Sequence, residues 1–167
     1  MNEQRFWQLI DESRAAAGGA RDMASAQEQA ESLEELLTRE PPADLLDFER
    51  MFAERMARSY TWDLWGAAYV LNGGCSDDGF DSFRAWLIGQ GKKVFEAVLA
   101  DPDSLGDYVD DEVECEELLY AASRAYEEQT GDEIPSVTVD PTDEPSGEAW
   151  EEEELPERFP RLSEKFG

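Results

Sequence analysis

The chain has 167 residues, with 41 Asp and Glu against 14 Lys and Arg, a formal net charge of −27. That charge argues against the phosphate backbone of nucleic acid and against anionic membrane as direct ligands. A hydrophobic fraction of 41%, with 5 Trp, 8 Phe and 5 Tyr, is enough for a real core and excludes a wholly disordered chain.

Helical periodicity dominates the pattern. Asn2 caps a first predicted helix running to about Ala17, with Phe6, Trp7 and Ile10 inward and Gly18-Gly19 as its stop. A second fits Asp22–Thr38, with Leu33, Leu36 and Leu37 as its late apolar patch. Pro41-Pro42 breaks the chain and suits the first position of a third helix, which carries Leu45, Phe48, Phe52 and Met56. Thr61 caps a fourth, holding Trp62, Trp65, Ala68, Tyr69 and Leu71, and Asn72-Gly73-Gly74 ends it. A fifth begins near Asp78 with Phe80, Phe83, Trp86 and Leu87. Gly89 and Gly91 separate it from a short sixth with Val94, Phe95 and Val98. Lys92-Lys93, the one adjacent basic pair, reads as a solvated helix start ahead of an anion contact. A long seventh helix fits Asp111–Gln129, with Asp110, Asp111, Glu112 and Glu114 at the end that the helix dipole favours.

Charge divides the chain. Residues 1–100 carry a net of −8 and residues 101–167 a net of −19. After Gly131 the pattern gives way to Pro, Asp, Glu, Ser and Thr, which reads as an extended acidic linker. Ser136–Val139 is the one weak strand candidate. Trp150, Leu155, Phe159, Leu162 and Phe166 then return, with Pro156 and Pro160 between them. Apolar anchors in a tail predict docking, on the chain's own domain ahead of a partner. The expected architecture is all-α: one compact, orthogonally packed domain of about six or seven helices over 1–130. A linker (131–149) and a C-terminal segment (150–167) complete an acidic, Pro-rich extension.

Cys75 and Cys115 form no CxxC pair, so a disulfide framework or a thiolate zinc site is not expected. No apolar leader follows Met1, and the apolar stretch near Trp65–Leu71 is too short to span a bilayer. The expectation is a soluble cytoplasmic protein with reduced thiols.

The chain has no His, which removes the commonest general base, and no catalytic set emerges. The densest chemistry lies where two aromatic helices flank a polar loop: Trp62, Asp63, Trp65, Asn72, Cys75, Asp77, Asp78, Asp81, Arg84 and Trp86. The favoured reading of this stretch is structural. Asp77 or Asp78 caps the next helix, Arg84 pairs with Asp81 or Asp77, and the aromatics are core. The other reading is a pocket. There Asp63, Asp77, Asp78 and Asp81 offer oxygen ligands to Mg²⁺ or Ca²⁺, without the EF-hand register, and Cys75 at a helix start is a lowered-pKa thiolate.

The stretch WDLWGAAYVLNGGCSDDGFDSFRAWLIGQGKKVFEAVLADPDSL closely resembles a bacterial family of uncharacterised proteins, the domain of unknown function 4240. The opening RFWQLID and the closing LPERFPRL resemble it too, so the likeness spans nearly the whole chain. The resemblance implies no activity, substrate or cofactor, and it supplies no catalytic residues. The expected function is a protein-interaction module for a basic partner. The alternative is a metal- or small-molecule-binding enzyme with its site at loop 72–84.

Overall fold

The structure is a computed structural model that describes residues 1–137, 139 and 144–167. It is all-α. Nine α-helices and three 3₁₀ helices lie among the described residues, more than the six or seven expected. The difference arises from the C-terminal segment, which is itself helical, and from two connections that wind as 3₁₀ turns.

The helix starts follow from local chemistry. In α1 (Glu3–Ala16) the Asn2 side chain accepts from the Arg5 N–H at 2.9 Å, and in α2 (Met23–Leu37) Asp22 accepts from Ser25 at 2.8 Å. Helix α3 (Pro42–Arg58) opens on proline, whose missing N–H costs nothing in the first turn. In α4 (Trp62–Asn72) the Thr61 hydroxyl accepts from Leu64 at 3.0 Å. The cap of α5 (Asp77–Gly89) is Ser76, which accepts from Gly79 at 3.1 Å, and neither Asp77 nor Asp78 takes that role. Both carboxylates sit instead in the first turn, where the helix dipole favours them. Helix α6 (Lys92–Ala100) follows. Lys92 pairs with Glu3 at 3.3 Å and Lys93 is exposed, as a solvated helix start requires.

The predicted seventh helix is the main correction. Residues 109–115 are not helical. A 3₁₀ turn covers Glu116–Tyr120, and α7 runs only over Ala121–Thr130. The segment's backbone is satisfied sideways. The Asn72 amide donates to the Val113 carbonyl and its oxygen accepts the Val113 N–H at 3.2 Å, while Cys115 N–H donates to Ser82 O at 3.0 Å. Val109, Val113 and Cys115 are buried while the acids between them point outward. Clustered like charges and a β-branched Val favour this extended path over a helix.

Helix α2 packs between α1 and α7, and α3 packs on α7 and α5. Phe6, Phe48, Phe80, Phe83, Trp86 and Phe95 are fully buried at their centre. Phe6 lies 4.8 Å from Phe48 and Trp7 lies 6.0 Å from Phe95, centroid to centroid. The C-terminus of α2 is closed from outside. The Gln129 amide donates to the carbonyls of Leu37, Thr38 and Glu40, satisfying groups a helix end leaves unpaired.

Helix α4 positions everything that follows. Its sequence, WDLWGAAYVLN, is apolar around nearly its whole circumference, so it must be covered on both sides. One side meets α5. The other meets the 3₁₀ helix Pro102–Asp107 and the last two helices, α8 (Leu155–Arg158) and α9 (Pro160–Phe166). The chain reaches this side through a single parallel bridge, in which Trp62 N–H donates to Ser146 O and Ser146 N–H to Tyr60 O. The strand candidate Ser136–Val139 includes Thr138, which lies outside the described residues, as does Pro141 of the linker.

Candidate functional site

Loop 72–84 is stitched on several sides. Gly73 takes a left-handed turn (φ +66°) that ends α4, and Gly74 N–H donates back to Tyr69 O at 2.8 Å. The Trp65 indole N–H donates to Cys75 O at 2.9 Å, and Asn72 grips Val113. Arg84 is buried. Its guanidinium lies 4.7 Å from the centroids of both Tyr60 and Phe80, donates to Met56 O at the end of α3, and pairs with Asp81. Burial pulls its pKa down, and the Asp81 charge opposes that. The Tyr60 hydroxyl donates to Asp77 at 3.2 Å, and its pKa is raised by burial and by that carboxylate.

The candidates named from the sequence therefore do not converge. Asp63 points to the far side of α4 and holds Arg158 at 2.6 Å. Asp77 meets Tyr60, Asp81 meets Arg84, and Asp78 is exposed. Among the described residues no group of three or more Cys, Asp and Glu side chains could hold a metal ion. Trp86 is fully buried and donates its indole N–H to Ala20 O at 3.0 Å, so it belongs to the core. Trp62 and Trp65 stack at 5.6 Å, and Trp65 stacks on Phe80 at 5.1 Å, so the tryptophans form a ladder and not an open cluster.

Beside the loop a cleft of about 220 Å³ is lined by Asn72, Cys75, Ser76, Glu112, Glu114 and Met23. The Cys75 thiol there is pushed up to about 11, by burial first and then by Glu114, with Asp77 and Asp81 adding to it and Arg84 opposing. This reverses the lowered-pKa thiolate of the sequence reading. The helix start it neighbours is outweighed by burial among carboxylates. Cys75 alkylation by iodoacetamide at mildly alkaline pH should run roughly 100-fold slower than that of a free cysteine. A rate equal to that of free cysteine would contradict this environment.

The second arrangement lies on the other side of α4. Leu155 and Phe159 are 3% exposed and Leu162 is 0% exposed, all seated against α4 and the 3₁₀ helix. The Trp150 indole donates to Trp62 O at 2.7 Å, and Trp150 packs edge-on against Trp62 and Tyr69. Around these anchors three cations meet three carboxylates. Arg158 pairs with Asp63, Arg161 with Asp107 at 2.7 Å, and Lys165 with Asp110 at 3.2 Å. Lys165 also donates to the carbonyls of Gly106 and Val109, both at 2.8 Å. The Asp103 carboxylate accepts the N–H groups of Arg161 and Leu162, capping α9 from across the groove. Magnitudes separate the roles. Burying three large apolar side chains is worth roughly 1.5–3 kcal/mol each. Exposed ion pairs contribute about 0–1 kcal/mol each. The apolar anchors hold the segment, and the cations set its register.

Next to this groove is an open acidic cleft of about 780 Å³, lined by Asp63, Asp101, Asp103, Glu148, Glu154 and Glu157. Arg158 is the one cation lining it among the described residues. Sequence reading reached Trp62 and Asp63 of this face but missed Gly66, Asp101, Asp103, Asp107, Asp110 and the tail cations. The available signal was the tail's own spacing of Arg158, Arg161 and Lys165 against Leu155, Phe159 and Leu162.

The fold and this face define a small all-α protein with an open acidic cleft beside a groove that its own C-terminal segment fills. Residues 1–128 match the family described as Protein of unknown function (DUF4240), and the chain belongs to that family. The matched residues include α4 and the 3₁₀ helix, and they stop before LPERFPRL. No curated protein and no solved structure matches the chain. No helix among the described residues is long and apolar enough to cross a membrane.

Proposed function

We propose that this chain is a protein-interaction module that binds a basic partner on the face carrying the acidic cleft. The observation that carries the reading is that cleft, where six carboxylates converge around a single guanidinium. A concave surface of one charge sign concentrates field and speeds the encounter with an oppositely charged protein. The net charge of −27 opposes nucleic acid for the same reason. Both cysteines are free, which suits a reducing cytoplasm. In this reading residues 1–130 form the helical domain, 131–149 an acidic linker and 150–167 a docking segment.

The test is binding by the full chain at low salt. Proteins retained at about 50 mM salt, where surface charges are weakly screened, are purified and titrated by calorimetry. Wild type is compared with the triple variant Asp101→Asn, Glu154→Gln, Glu157→Gln. Affinity for the true partner should fall at least about tenfold in the variant and decline steeply with salt. Equal affinity of variant and wild type would refute this use of the cleft.

A further inference from the structure

The acidic cleft has two walls that come from different parts of the chain. Asp63, Asp101 and Asp103 stand on α4 and at the start of the 3₁₀ helix Pro102–Asp107. Glu148, Glu154 and Glu157 stand on the C-terminal segment that lies against them. Among the described residues the one ion pair within the cleft joins Arg158 to Asp63 at 2.6 Å. The same guanidinium donates to the Glu148 carbonyl at 2.6 Å, so the one cation present ties wall to wall. The other five carboxylates have no ion-pair partner among the described residues.

The second wall is attached at one point and packed at another. Ser146 is fixed by backbone hydrogen bonds with Tyr60 and Trp62. Gly147 follows with φ +90°, a conformation that favours glycine, and a Cβ there would meet nothing within 4 Å. Beyond it the buried anchors Leu155, Phe159 and Leu162 hold the segment down. Its charge works against them. Residues 148–167 carry seven Glu against Arg158, Arg161 and Lys165, a net of −4, and the rest of the chain carries −23. Bringing two surfaces of like charge together within a Debye length opposes closure. The pairs of Arg158, Arg161 and Lys165 offset only part of that, because mostly exposed pairs contribute little.

We propose that residues 148–167 form a strap, hinged at Gly147, whose closure is opposed by like charge across the cleft and tightened when that charge is neutralised. The apolar anchors keep it closed in the free chain. A cationic partner in the cleft adds to them by contacting both walls, as Arg158 does from within. The inference rests on the reading of the cleft as the seat of a basic partner, and it supplies the regulation of that seat. Binding and closure strengthen each other by the same factor, so a bound partner protects the strap and does not displace it.

The experiment is native-state amide exchange of the full chain at about 0.1 M salt, where the Debye length is about 10 Å. It follows Leu162 N–H, which donates to Asp103, and Ser163 N–H, which donates to Phe159 O, beside the Trp86 amide within α5. In wild type the two strap amides should exchange faster than Trp86, because the strap opens without the rest of the fold. In the variant Glu148→Gln, Glu154→Gln, Glu157→Gln they should slow at least about threefold. In the control Glu28→Gln, Glu127→Gln, Glu128→Gln, which makes the same charge change on α2 and α7, they should change by less than about twofold. An oligolysine peptide should slow them in wild type beyond sodium chloride of equal ionic strength, and the excess should shrink in the cleft variant. Strap amides no faster than Trp86, no slowing in the cleft variant, or equal slowing in the control would overturn the proposal. So would oligolysine that speeds exchange, acts only as salt does, or acts equally on the cleft variant. The two readings fail separately. A captured partner that needs Asp101, Glu154 and Glu157 yet leaves strap exchange unchanged keeps the cleft and removes the coupling. Strap amides that slow as stated, with a captured partner indifferent to those three carboxylates, keep the strap and move the partner elsewhere.

Discussion

Replacing Arg84 with alanine should cost about 3 kcal/mol of folding stability, the largest single-residue effect expected outside the apolar core. The side chain is 5% exposed, and its guanidinium lies 4.7 Å from two aromatic ring centroids. It also caps the carbonyl of Met56 in the last turn of α3 and pairs with Asp81. Removing it leaves a void between Tyr60 and Phe80 and takes from Asp81 its one ion-pair partner among the described residues. Asp81 is partly open to water, which keeps the loss below that of a fully buried pair broken on one side. Lysine should not restore stability, because a single ammonium cannot lie flat between two rings and still donate in two directions. Urea unfolding at neutral pH measures this. A loss under about 1 kcal/mol for Arg84→Ala would mean that the side chain is not the strut that joins α3 to α5.

The second large effect concerns Gly66. In the interior of an exposed helix, Gly→Ala ordinarily stabilises by about 1 kcal/mol. Here the added methyl would sit 2.5 Å from Phe159 Cε2 and close to Trp150 and Leu155. Overpacking of this kind costs roughly 1–3 kcal/mol, so the net change for Gly66→Ala should be destabilising. The sign carries the information. In a chain that also carries Phe159→Ala, the nearest clash is gone, and Gly66→Ala should become neutral or stabilising. The double-mutant cycle therefore reads the contact between α4 and the tail directly. A Gly66→Ala chain more stable than wild type, with Phe159 intact, would show that the tail does not fill the slot.

Much of the helical domain was legible because its signals are local. Asn2, Asp22, Thr61, Pro42 and Gly73 each act within a few residues, and each stands where its helix begins or ends. The segment 109–120 was not legible, because its partners Asn72 and Ser82 are tens of residues away and supply the hydrogen bonds a helix would have made. Cys75 was misjudged for a related reason. A helix start is visible in sequence, whereas burial beside Glu114 is not. The candidate loop drew attention because polar residues crowd there, yet its carboxylates face different neighbours. The tail's spacing was present in the sequence throughout. Its meaning depends on Asp103, Asp107 and Asp110, which lie some fifty residues away and pair with it only in the fold.

The central claim is that residues 150–167 lie in an acid-rimmed groove held by apolar anchors and registered by charge. Amide hydrogen exchange at Arg161 and Leu162 in the full chain tests it most directly, since both N–H groups donate to Asp103 across the groove. The account predicts slow exchange at these two amides in wild type at low salt. It predicts exchange at least about tenfold faster in an Asp103→Ala chain. Exchange at the rate of an unstructured chain in wild type at low salt would contradict it.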